Sequence, residues 1–117
     1  MQYALLFYNA PNALELISDA QRDAGLAEMS AWRDELVRAG VFRTGLRLAG
    51  VNAATSLRHD GGAVLVTDGP FADTKEMLGG LIVVECADLD EALRWARRSP
   101  AVKWGTVEVR PEFGAPR

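Results

Sequence analysis

The sequence predicts an α+β fold with a ferredoxin-like order: strand, helix, strand, strand, helix, strand, plus one extra hairpin. Three observations lead there. Strongly apolar runs open the chain at 2–8 (QYALLFY, without polar interruption after Gln2) and recur at 81–87 (LIVVECA), as buried strands do. Two stretches carry helical spacing or a helix-start signature, at 13–39 and from Asp88 onward. Between them the chain is β-rich and turns on Asp60-Gly61-Gly62.

In order, the first strand ends at Asn9 to Asn12, a turn built around Pro11. Gly25, Met29, Trp32, Leu36 and Ala39 then fall on one helical face, while Arg33, Asp34, Glu35 and Arg38 face elsewhere. Gly25 costs a helix interior about 1 kcal/mol against alanine, so a break there into a short and a longer helix is expected. Gly40 suits the positive φ that closes a helix. Strands follow at 41–48, 55–59 and 63–67, the last two joined by the glycine turn. Gly79-Gly80 precede the apolar strand and no helix, unlike a phosphate or dinucleotide loop, so no nucleotide cofactor is expected. Asp88 and Glu91 form a capping box, Ser99-Pro100 end that helix, and TVEVR at 106–110 alternates as the closing strand.

At 117 residues the chain is one domain, 1–117, small enough that a second copy is a natural cover for the sheet face opposite the helices. A formal charge of -3 with no basic run beyond Arg97-Arg98 argues against direct nucleic-acid binding. No apolar run reaches the roughly 20 residues that span a bilayer, and the opening strand lacks a signal peptide's basic start. One cysteine, Cys86, excludes an intrachain disulfide, and a cytoplasmic location is expected. With one histidine beside that cysteine, no metal site is expected either.

The stretch from Asp68 to Gly80, DGPFADTKEMLGG, is the most distinctive in the chain. It resembles the YCII-related proteins of the DGPF type, and the likeness extends to the opening strand, to Glu35-Leu36 and Ala39-Gly40, to 87–93 (ADLDEAL) and to 107–111 (VEVRP). The resemblance implies a dimeric α+β barrel, as in muconolactone isomerases and several small oxygenases, with a cleft between sheet and helices. It also implies a possible sigma-factor partner, since similar proteins occur beside or fused to sigma factors of the extracytoplasmic type. Other YCII-like proteins carry a His and Asp pair, with the His on the first helix. This chain departs from them, because its single histidine, His59, lies on the strand before the glycine turn.

Within the distinctive loop, Asp68, Asp73, Lys75 and Glu76 bring three carboxylates and an ammonium together. A carboxylate in a cleft acts as general acid or base and a lysine holds an anionic or enolic oxygen, so Asp68, Lys75 and Glu76 are the candidate catalytic residues. The same residues also read as a turn, with Asp68 capping Gly69-Pro70 and Phe71 plugging the core. Tyr8, Trp32, Phe71 and His59 are the candidate ligand contacts, the aromatic residues as cleft walls and the histidine for proton transfer. Packing explains the aromatics as well, and Cys86 in the most apolar strand reads as core. Two functions remain open: a homodimer whose cleft binds or slowly transforms a small metabolite by cofactor-free, isomerase- or lyase-like proton transfer, and a regulatory partner of a sigma factor without catalysis.

Overall fold

The computed structural model describes residues 1–114. Strand β1 (Gln2–Asn9) leads through a short 3-10 turn, Ala13–Glu15, into helix α1 (Asp19–Arg38). Strand β2 (Phe42–Arg47) is followed by the hairpin β3 (Thr55–Asp60) and β4 (Ala63–Asp68). Strand β5 (Met77–Glu85), helix α2 (Leu89–Arg97), a 3-10 turn at Pro100–Lys103 and strand β6 (Thr106–Pro111) complete the chain. Four strands form one antiparallel sheet in the order β2-β5-β1-β6, the ferredoxin-like arrangement, and β3 and β4 form a separate two-stranded sheet.

Alternation decides what each face buries. Tyr3 and Leu5 of β1 pair with Val84 and Ile82 of β5 and point at the helices. There they join Trp32 and Leu36 of α1, Ala92 and Ala96 of α2, and Cys86 in one buried core. Trp32 donates its indole N–H to the carbonyl of Trp95 at 3.1 Å and meets Phe7 edge-on, which locks α1 against α2 and the sheet.

Three local expectations are corrected. Helix α1 does not break at Gly25: it starts later, at a capping box between Ser18 and Gln21, and runs through the glycine. The indole of Trp104 lies over that position, where an added Cβ would sit 3.2 Å from its ring edge, so the missing side chain makes room for an aromatic ring. At α2, Asp88 accepts from the amide of Glu91 at 2.9 Å as a cap should, but Glu91 reaches back to the amide of Ala87 rather than to the cap residue. Gly79 and Gly80 lie inside β5, not ahead of it, and a Cβ at Gly80 would meet the Leu46 carbonyl at 3.0 Å. The glycine there permits close approach of β2.

Gly61 and Gly62 both take positive φ, the two-residue geometry that matches strand twist in a hairpin. The hairpin they close barely touches the rest of the domain. A radius of gyration of 16.2 Å, against about 13 Å for a compact chain of this length, reflects the projection. Among the described residues no helix is long and apolar enough to cross a membrane.

Candidate functional site

The sheet face opposite the helices carries both apolar surface and the best organised polar group of the chain. Leu6 of β1, Leu81 and Val83 of β5 and Leu46 of β2 lie on that face by register. Tyr8 shares it, and so do Thr106, Glu108 and Arg110 of β6, because Leu6 pairs with Glu108 and Tyr8 with Thr106. The Tyr8 hydroxyl donates to Glu108 Oε1 at 3.1 Å, and Arg110 Nη2 donates to both Glu108 oxygens at 3.0 Å. At the same end of β6 the Thr106 hydroxyl donates to Glu76 Oε1 at 2.7 Å, which brings a residue of the distinctive loop to the sheet.

The electrostatics follow from these contacts. The Arg110 guanidinium holds the Glu108 carboxyl below its ordinary range, against a desolvation that works the other way, and the Tyr8 hydrogen bond adds to the lowering. Burial raises the Tyr8 phenol, and the hydrogen bond to Glu108 and its charge raise it further. Tyr8 is therefore a neutral donor beside a fixed anion, with its oxygen lone pairs still able to accept. Glu76 makes no ion pair among the described residues, so of these carboxylates it is the one not tied to a cation.

The candidate residues separate into four places. Tyr8 and Glu76 belong to the open-face group just described. Trp32, at 3% exposure, lies on the other side of the sheet as core, so the expectation that it shares a cleft wall with Tyr8 is corrected: strand alternation sends them to opposite faces. Asp68 ends β4 and His59 lies on β3; both are exposed, on the same hairpin face, with four residue positions between their register pairs. Lys75 is exposed in the loop, and neither it nor Asp68 makes a side-chain hydrogen bond or ion pair among the described residues.

Phe71 plugs no core. It is 79% exposed and lies with Pro70 beside Ser56, Arg58, Leu65 and Thr67, at a surface groove of about 210 Å³. The turn reading of Asp-Gly-Pro is visible in the backbone: Gly69 takes a φ of +97, its amide donates to the Ala54 carbonyl at 2.7 Å, and its carbonyl accepts from the Ser56 hydroxyl at 2.7 Å. A second groove of about 370 Å³ opens between α1 and the end of α2, near Glu28, Trp32 and Arg98. Neither groove includes Tyr8, Glu108 or Arg110, which lie on the open face of the sheet. Among the described residues no three of His, Cys, Asp and Glu gather as metal ligands.

Thr106, Glu108 and Arg110 escaped the sequence reading, although their signal is the alternation of polar residues with Val107 and Val109. Charged residues at every second position of a closing strand read as a solvated face until the neighbouring strand is known. Here that neighbour is β1, and the residue delivered is Tyr8.

Comparison with known proteins adds the following. The YCII-related domain matches residues 1–113. An uncharacterised protein of Rhizobium meliloti (strain 1021) is 40% identical over 115 residues, which cover 95% of this chain and 91% of that protein.

Proposed function

Because this chain belongs to the YCII-related family, across nearly its whole length, we propose one reading for the whole domain: a small homodimer that holds a carbonyl-bearing metabolite against the open sheet face. The observation that carries it is the Tyr8–Glu108–Arg110 chain, a hydrogen-bonded polar group set in an otherwise apolar, uncovered surface. Binding sites have this make-up, mostly apolar with a few placed polar groups. Arg110 supplies donors to a carbonyl or carboxylate oxygen of the ligand, Tyr8, whose one proton goes to Glu108, accepts from a ligand hydroxyl or enol, and Leu6, Leu46 and Leu81 supply its apolar bed. A second copy supplies the missing walls.

Turnover in this reading is proton transfer without a cofactor, of the isomerase or lyase kind. Glu76 is the base best placed for it, since a base must be free to take up a proton and Glu108 is held as its anion by Arg110. Lys75, exposed next to Glu76, serves the ligand's polar end, while Asp68, at the end of β4, lies apart from it.

The test is a thermal-shift screen of the protein against keto acids, lactones and cyclic enones, repeated on Tyr8→Phe and Arg110→Ala. A ligand that binds the native state alone raises its melting temperature by mass action. Shifts that vanish in both variants are expected; shifts that persist unchanged in both would remove the open face from the site.

A further inference from the structure

Two apolar surfaces of this chain lie bare, and one symmetry operation covers both. The first is the open sheet face, where Leu46 is 61% exposed. The second belongs to the hairpin. Register puts Leu57, Val64 and Val66 on a single face of the two-stranded sheet, and they are 65%, 60% and 60% exposed. Such a stripe on a strand pair is the pattern of a half-buried sheet, yet nothing in the chain buries it. A two-stranded hairpin alone is marginal in water, so this one needs a seat.

We propose that the hairpin is an arm that clasps a second copy of this chain, laying Leu57, Val64 and Val66 over the partner's open sheet face and forming a wall of the site around the partner's Tyr8. The inference rests on the homodimer of the preceding section and assigns what completes its site. Self-complementarity argues for a second copy over a foreign protein: in a two-fold dimer, arm on sheet implies sheet on arm, so both bare surfaces of both chains are covered at once. The dimensions agree. A six-residue strand is roughly 20 Å long, enough to cross a four-stranded sheet whose strands are spaced about 4.8 Å apart.

The domain is 20 Å deep in its thinnest direction and 47 by 42 Å across, and the hairpin makes few contacts with the rest of it. Leu46 of the sheet and Leu57, Val64 and Val66 of the hairpin are each more than half exposed.

The experiment is sedimentation equilibrium on the wild type, on the arm variant Leu57→Asp/Val66→Asp and on the sheet variant Leu46→Asp, with hydrogen exchange over residues 55–68. All three positions are exposed in the single chain, so its own fold tolerates the charges. The expected result is a wild-type dimer with slow exchange in the hairpin, and a dimer constant weakened about 100-fold or more in both variants. Hairpin exchange then becomes fast in the sheet variant, although its hairpin sequence is unchanged. A dimer that breaks with Leu46→Asp while ignoring the arm variant overturns the arm and leaves the homodimer standing. A wild type that stays monomeric at high micromolar concentration overturns both.

Discussion

Gly105 is where the domain tolerates a side chain least, and its replacement by alanine tests how tightly β1 and β6 are joined beside Tyr8. A Cβ at this position would lie 2.0 Å from the Tyr8 carbonyl oxygen, 3.1 Å from its carbon and 3.3 Å from the Asn9 Cα. All three neighbours are backbone, so no rotamer change relieves the contact; the end of β1 has to move by more than 1 Å to restore van der Waals distance. Overpacking of this kind costs about 1–3 kcal/mol. For a chain of this length that is a fall in melting temperature of roughly 4–12 °C. Gly40→Ala is the comparison. Gly40 has a φ of +76 and open space around it, so alanine there meets only left-handed strain of about 1–2 kcal/mol. The assay is thermal unfolding followed by circular dichroism, with the Tyr8→Phe ligand-shift comparison repeated on Gly105→Ala. If Gly105→Ala unfolds as late as the wild type, the close approach of β1 to the turn before β6 is wrong, and with it the placing of Tyr8.

Leu36, fully buried between α1 and the sheet, should cost about 2–5 kcal/mol when truncated to alanine, read as a lower urea midpoint. Burial, with the Glu91 charge and hydrogen bond in support, pushes the Cys86 thiol up to about 11, so native protein at mildly alkaline pH should ignore a thiol reagent that labels it at once in urea. Because Glu108 has a folded value below its unfolded one, its contribution is present above the ordinary carboxylate range and is lost as pH falls through the depressed value; Glu108→Gln should flatten the acid limb of melting temperature against pH. Tyr8 works in the opposite sense: its raised phenol stabilises the fold below the unfolded tyrosine value and ceases to as pH rises through the folded one, so Tyr8→Phe should flatten the alkaline limb.

Much of the fold was legible because it is written in local chemistry. Gly61-Gly62 specify a hairpin turn, Asp88 specifies a helix start, and the spacing of Trp32 and Leu36 specifies the buried stripe of α1. Where the reading went astray, a long-range contact had overridden a local rule. Gly25 is a poor helix residue until Trp104, far along the chain, supplies the reason for its lack of a side chain. The site was half legible for the same reason. Tyr8 was singled out as a cleft wall beside Trp32 and Glu76 as a catalytic residue of the loop, with nothing to join the two, and Glu108 and Arg110 reach Tyr8 only because β6 docks beside β1; strand order is not a property of any single segment. Asp68 and Phe71 drew notice through a conspicuous loop whose backbone turns out to fasten the base of the hairpin.

That fastening carries an evolutionary implication. Ala54 and Gly69 are bonded backbone to backbone at 2.7 Å, so the chain leaves the main domain and re-enters it at almost the same point. A segment with adjoining ends is a cassette: it can be lengthened, shortened or cut out and bridged by a short linker while the four-stranded sheet and its helices keep their register. A change of length at this one joint therefore leaves the scaffold beneath it the same.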